Sequence, residues 1–390
     1  VTKYAIAGSV IWSFILAMIF LLFLRCCAAV IVYTAIFAVL LGFAILAVFF
    51  RMKVNEYKQG KDEKNEKIFT ILFWIFVALT LIWLFFILIM CNRIRLAVAL
   101  IQVTAKYVGR NCCIVFVPFL FFVLITAWIV YWLVLSVYFY AAGDFDKEGS
   151  KVIAQFNYNN KIRYFFFFHL FSLFYIYAMI SSYSQFVYSS SACIWYFTNE
   201  KKTEPHNILK SFYRGIRYHL GSLAFGSLII SIVRFLMFIL EIFKRKAEKT
   251  LGKKIGDSKC FKCVICCLQC CLKCIGKTIE FINKHAYIMI AIKGDSFCTA
   301  AWEGFALTVR NLGRFSVFAV LGTVFSIIGT IVICSATVLV GYFVITEFEY
   351  FSQDLDSVVL PLICFGVIGL IIVLITMSVF ATSGDALLYA

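Results

Sequence analysis

In the stretch 163–197, Ser181, Ser184, Gln185, Tyr188, Ser191 and Trp195 recur at intervals of three and four. On a helix that spacing puts them on one face of an otherwise Phe-rich segment. Polar groups are costly in hydrocarbon unless they meet a partner or a water-filled cavity, so the stripe is expected to point into a bundle. Trp128, Tyr131 and Trp132 repeat the i, i+3, i+4 spacing within 113–140. Hydroxyls, an amide and ring faces suit a quaternary ammonium, which donates no conventional hydrogen bond and is attracted to an aromatic face by roughly 0.5–2 kcal/mol. Aromatic residues make up 18% of the chain, so packing and lipid contact compete with binding as the role of 128, 131 and 132. Serine in a membrane helix can also simply bond its own backbone.

Cysteines stand at 260, 263, 266, 267, 270, 271 and 274. CxxC pairs often mark zinc or a redox couple. Here Cys260, Cys263, Cys267, Cys270, Cys271 and Cys274 share one helical face, flanked by Lys259, Lys262, Lys273 and Lys277. A straight helix cannot wrap four of them around one tetrahedral metal. Three readings stand: an amphipathic helix at the membrane surface using cysteine as a small apolar residue, S-acylation at residues such as Cys263, Cys267, Cys270 and Cys271, and a metal site. A reducing cytoplasmic location argues against disulfides. Gly276-Lys277-Thr278 looks like the tail of a phosphate loop, but Cys271 occupies the position of its first glycine. The sequence has no HExxH, no GxSxG and no paired carboxylates within an apolar segment, so neither an enzyme, a cofactor nor a bound metal is expected.

The elements that must hold these residues are membrane helices. Hydrophobic residues reach 63% and charged residues 14%, with mean hydropathy +0.96, against about 45–50% and about 25% in soluble domains. The formal charge of +16 lies in the gaps between apolar segments, where it marks cytoplasmic loops and not nucleic-acid binding. Apolar runs near the roughly 20 residues needed to cross a bilayer occur at 4–24, 26–50, 68–91, 113–140, 163–197, 218–243, 316–345 and 357–382. Arg25 alone separates the first two, predicting a tight helical hairpin. The first run is too long for a signal peptide and lacks the basic leader. Loops 92–112 and 198–217 read as cytoplasmic, whereas 141–162 and 346–356, acidic or balanced, read as outside. Loop 51–67 then also faces outside despite its lysines. The basic segment 244–284 wants the cytoplasmic side on which 218–243 begins. Either 218–243 is re-entrant or the chain returns within 262–310, giving eight to ten spans.

The run YHLGSLAFGSLII (218–230), between Arg217 and Arg234, carries Gly221, Ser222 and Gly226, small residues that let another helix approach closely in lipid. With RIRLAVALI (93–101), CVICCLQCCLKC (263–274), NKHAYIMIAIKGDSFCTAA (283–301), RYFFFFHLFSLFYIYAMI (163–180), WYFT (195–198) and the terminal GDALLYA, it resembles the choline transporter-like family of solute carriers, block by block and in order. The resemblance implies an all-helical carrier of about ten spans, moving choline and in some members ethanolamine without a strict sodium requirement. The family's usual address is the plasma membrane, with internal membranes, mitochondrial included, as the alternative. It also implies a first span and a large glycosylated outer loop preceding this sequence, which begins at Val1 and contains no N-x-Ser/Thr sequon. His285 stands where the family usually has Asn.

The expectation is a single transmembrane domain over 1–390, with 244–284 as a basic, Cys-rich amphipathic segment inside it. The cation would be held by the two aromatic and hydroxyl stripes in a cavity opening alternately to either side, in contact with lipid and with no nucleic-acid partner. No apolar segment shows a central carboxylate, since Glu241 and Glu303 sit near segment ends, so selection is expected to rest on ring faces. The competing readings are a non-transporting subunit of a larger membrane complex on the same scaffold, and a channel, which lacks the continuous polar row a pore needs.

Overall fold

The structure is a computed structural model that describes residues 2–59, 63–141, 144–145, 156–157, 160–198, 206–250, 259–347 and 358–390. Its helices are α1 (Thr2–Gln59), α2 (Glu63–Arg110), α3 (Val117–Ala141), α4 (Asn160–Phe197), α5 (Asn207–Arg214), α6 (Leu220–Thr250), α7 (Lys259–Lys293), α8 (Phe297–Arg310), α9 (Leu312–Glu347) and α10 (Val359–Tyr389). A short 3₁₀ turn, Cys112–Phe116, precedes α3, and one π-helical turn, Gly215–His219, precedes α6. The only strands among the described residues are Asp144–Phe145 and Phe156–Asn157, paired antiparallel. Beyond that ladder, the loops expected outside at 141–162 and 346–356 fall largely outside the described residues.

Seven of these helices are long and apolar enough to cross a membrane: α1, α2, α3, α4, α9, α10 and the stretch Asn207–Lys246 that contains α6. This is an all-α polytopic membrane protein, as its composition predicts. Its chain consists of two compact units, one formed by 1–111 with 311–384 and the other by 112–310 with 385–390.

In the first unit the hairpin expected at Arg25 does not form. Segments 4–24 and 26–50 are one continuous helix of 58 residues. Antiparallel helices need a loop of about 2–5 residues to reverse, and a single Arg, itself a good helix former, supplies none. The buried positions Ser13, Ala17, Leu21, Leu24, Ala28 and Val32 run past Arg25 without a change of period. The hairpin partner of α1 is α2. Tyr57 stacks on Phe69 at 5.1 Å, Phe50 meets Phe76 at 5.2 Å, Phe43 meets Trp83 edge-on at 6.5 Å, and the Trp83 Nε1–H reaches the Ile36 carbonyl at 3.4 Å. Helix α9 buries Phe318, Leu321, Phe325, Gly329, Ile333, Thr337, Gly341 and Ile345, nearly every fourth residue. Such a ridge admits close neighbours where its members are small: a Cβ at Gly329 would fall 2.8 Å from Phe20 and Met377. The Thr337 and Ser13 hydroxyls hydrogen-bond at 3.0 Å.

The second unit is built around α4, which packs on α3, α5, α6 and α7. Its core joins Phe186 of α4 and Leu223 of α6 to Ala286, Tyr287, Met289 and Ile290 of α7 and to Phe297 and Ala300 of α8. After 218–243 the chain continues in α7, which runs back along α6 and is not among the helices long and apolar enough to cross a membrane. Glu241 pairs with Gln269, Gly276 faces Met237 and Val233, Arg234 pairs with Glu280, and Gly226 pairs with Asn283. Between α7 and α8 the chain turns at Gly294, whose φ of +81° suits a residue without a Cβ. Its N–H caps the Ile290 carbonyl at 2.9 Å.

Candidate functional site

The small residues of α6 set the geometry of the second unit. A Cβ on Gly226 would lie 2.5 Å from both Phe297 Cε2 and the Tyr287 hydroxyl. Only glycine lets α7 and α8 come this close. The buried Gly226 carbonyl then accepts from Asn283 Nδ2 at 2.9 Å, tying α6 to α7. Opposite, the Ser182 and Ser227 hydroxyls lie 2.5 Å apart, so that one donates to the other, which donates on to its own helix; the Ala178 and Leu223 carbonyls each lie 2.7 Å from the serine of their helix. The Tyr287 hydroxyl stands close to both serines. This polar seam inside an apolar bundle satisfies its own members and fixes where α4, α6 and α7 meet.

Beside the seam lies a cavity of about 280 Å³, lined by Ala178, Ser181, Ser182 and Gln185 of α4, Ile230 and Arg234 of α6, and Glu280, Asn283, Lys284 and Tyr287 of α7. That is the size of a small-solute site, near the lower end of the roughly 300–1,000 Å³ typical of ligand pockets. Both of its cations are matched. Arg234 Nη2 lies 2.7 Å from Glu280 Oε1 and 5.7 Å from the centre of the Tyr177 ring. Lys284 Nζ pairs with the buried carboxylate of Asp385, at the end of α10. Next to that pair, His285 Nδ1 is 2.8 Å from the Tyr389 hydroxyl, which also hydrogen-bonds to Thr308 and to the Gly304 carbonyl at 3.2 Å. The C-terminal residues 385–390 thus belong to the wall of this unit.

Ser181 and Gln185, from the predicted stripe, both line the cavity. Ser184 donates to the Ser181 carbonyl at 2.7 Å and hydrogen-bonds to the hydroxyl of Tyr188, which is buried edge-on against Phe121 at 6.4 Å. Trp195 lies half-buried toward the C-terminal end of α4. The α3 set is not part of the lining. Trp132 stacks on His169 at 4.9 Å and donates its Nε1–H to the His169 carbonyl at 2.8 Å, so both its face and its edge are engaged. Trp128 and Tyr131 have ring centres 5.8 Å apart; the Trp128 Nε1–H is buried without a hydrogen-bond partner, and Tyr131 is 55% exposed. Of the packing residues, Gly226 is buried at the closest approach, Ser222 is half-buried, and the space around Gly221 is open.

Sequence reasoning did not place Arg234, Glu280, Lys284, Asp385, Asn283 or Tyr287 at a site. Glu280 lines the cavity and Asp385 pairs with its Lys284, whereas Glu241 pairs with Arg245 at 3.0 Å and Glu303 with Lys293 at 2.5 Å. The signal was present, because charged groups within or against apolar segments are rare and costly enough to mark function.

This is an integral multi-pass membrane protein whose second unit holds a small polar cavity, with charges paired across its helices. Residues 74–390 match the family described as plasma-membrane choline transporter, and the chain belongs to that choline transporter-like family, a family of transporters and not of enzymes. A choline transporter-like protein 2 from Dictyostelium discoideum is 29% identical over 404 aligned residues, covering 99% of this chain and 62% of that protein. Choline transporter-like protein 1 from Xenopus laevis is 31% identical over 287 residues, covering 73% and 42%, and its counterpart from Rattus norvegicus is 27% identical over 375 residues, covering 93% and 55%. The chain spans about half the length of the curated relatives it matches.

Proposed function

We propose that this chain forms the transmembrane core of a carrier for choline or a related small amine such as ethanolamine, moved by alternating access through the α4, α6 and α7 cavity. The observation that carries the proposal is the cavity's mixed wall: one half-exposed carboxylate, Glu280, one ring, Tyr287, the neutral polar groups of Ser181, Gln185 and Asn283, and two cations, Arg234 and Lys284, each already paired with a carboxylate. A trimethylammonium group needs negative charge or a π-face and gains nothing from further donors. An entering cation would compete with Arg234 for Glu280, while the single hydroxyl of choline finds an amide at Gln185. Ethanolamine, with three N–H donors, would use the same carboxylate and the serine hydroxyls. Trp128 and Tyr131 stay in the proposal as an aromatic face on the solute's path, held in place by Trp132, whose own face is taken by His169, and the Trp128 N–H is able to donate to a substrate oxygen.

The test is equilibrium binding of labelled choline to the purified full-length protein. Glu280→Gln is expected to weaken binding by roughly tenfold or more, the scale of a charge-assisted contact worth about 1.5–3 kcal/mol. Gln185→Ala is expected to weaken it by roughly two- to tenfold, the scale of a neutral hydrogen bond. Unchanged affinity in both variants would remove this cavity from the substrate's route.

A further inference from the structure

The cysteine run of α7 takes no part in the cavity, yet it is the densest group of nucleophiles in the chain. Cys263, Cys266, Cys267, Cys270, Cys271 and Cys274 are all exposed and unbridged, whereas Cys193 inside α4 is buried; the side chain of Cys260 lies outside the described residues. The antiparallel register fixes their depth. Gln269 donates to Glu241 at 2.8 Å, and immediately beyond Glu241 the apolar face of α6 gives way to Lys244, Arg245 and Lys246. An apolar-to-basic boundary of this kind marks the edge of the hydrocarbon, where long cationic side chains reach headgroups. Cys266, Cys267, Cys270 and Cys271 therefore lie within about one helical turn of that edge.

The same stretch of α7 exposes Val264, Leu268 and Ile275 beside Lys273 and Lys277. Ile265 and Gly276 face inward, Gly276 toward Met237 and Val233. The helix is thus held to α6 along one side and presents thiols, aliphatic side chains and lysines on the others. Among the described residues no group of three metal-ligating side chains converges. Cys263 and Cys267 lie one turn apart on the same face. The basic flank favours the cytoplasmic side, a reducing compartment in which thiols stay free.

We propose that this face of α7 is a site of S-acylation, modified on one or more of these cysteines by a long-chain fatty acyl-CoA through a membrane S-acyltransferase. In the net reaction the cysteine sulfur forms a new thioester bond to the acyl carbonyl carbon. The bond from that carbon to the coenzyme A sulfur breaks, and the thiol proton leaves on coenzyme A. No electrons are transferred. A chain attached at the hydrocarbon edge enters the bilayer alongside Val264, Leu268 and Ile275, at about 0.8 kcal/mol per buried CH₂. Such a chain pins the α6–α7 hairpin to the membrane surface.

The test uses the full-length protein made in a eukaryotic cell. Free thiols are blocked with N-ethylmaleimide, thioesters are cleaved with neutral hydroxylamine, and the released thiols are tagged with maleimide-polyethylene glycol. A hydroxylamine-dependent gel shift of one or more tags is expected, abolished when Cys263, Cys266, Cys267, Cys270, Cys271 and Cys274 are all replaced by Ser. The pair Cys270→Ser with Cys271→Ser, which leaves the helix otherwise intact, is expected to reduce the shift should the six-fold variant fail to accumulate. No hydroxylamine-dependent shift, a shift that persists in both variants, or thiols released by dithiothreitol alone would overturn the proposal. Because the readout is chemical, it stands or falls independently of choline binding.

Discussion

Gly226→Val is expected to destabilise the protein by about 1–3 kcal/mol, the cost of forcing extra atoms into a filled contact. At this position the first added carbon already meets Phe297 and Tyr287 at 2.5 Å. Neither neighbour can retreat cheaply: both belong to the core cluster of α7 and α8, and the Tyr287 hydroxyl stands close to Ser182 and Ser227. Pushing α7 outward would also lengthen the Asn283 bond to the Gly226 carbonyl. Gly221→Val, five residues earlier on the same helix, is the internal control. It adds the same atoms where nothing lies within 4 Å, so its effect is expected to stay within about 0.5 kcal/mol. Thermal unfolding of the three proteins in one detergent decides the matter. Equal losses at 226 and 221 would show that helix propensity, and not close packing, governs this segment.

The second large effect concerns Asp385. Its carboxylate is 12% exposed and the ammonium of Lys284 is 40% exposed, so the pair is asymmetric. Asp385→Leu deletes the anion and leaves a cation that can turn only partly toward water. A charge-assisted hydrogen bond is worth about 1.5–3 kcal/mol, and losing one partner of a deeply buried pair costs about 3–5 kcal/mol. With Lys284 partly solvated, the lower range of about 1.5–3 kcal/mol applies. Replacing both members, Lys284→Met with Asp385→Leu, removes the stranded charge and is expected to recover most of the loss, because apolar substitutes for an ion pair are often neutral or better. A double variant as unstable as the single one would mean that the wall formed by 385–390 depends on Asp385 for something other than its pairing with Lys284.

These two sites also show what was legible in the sequence. The apolar runs and the small residues of 218–230 could be read directly, because hydropathy and helical spacing are local properties. The reversal at Arg25 could not be placed correctly, since a count of apolar residues sees two bilayer lengths and is blind to helix continuation. The α4 stripe was legible as a stripe, but α4 is flanked by α3, α5, α6 and α7, so one face meets several neighbours and only Ser181 and Gln185 reach the cavity. The ion pairs were hidden for a different reason. Arg234 reads as the end of a run, and the His285–Tyr389 contact that accompanies Lys284–Asp385 joins residues 104 apart in sequence. Pairings over such separations are made by tertiary packing and leave no periodicity to detect. A stricter reading of every charge that interrupts an apolar run would have singled out Lys284 and Asp385 without their partners.

The central claim is that the α4, α6 and α7 cavity carries a small cationic amine across the membrane. Uptake of labelled choline into proteoliposomes holding the full-length protein, under an imposed inside-negative potential worth about 2.3 kcal/mol per charge per 100 mV, tests it most directly. Saturable uptake that rises with the potential, is competed by unlabelled choline and falls sharply in Glu280→Gln is the predicted result. Folded, correctly inserted protein that takes up no choline at any potential would contradict the account and point to a scaffold serving a larger membrane complex.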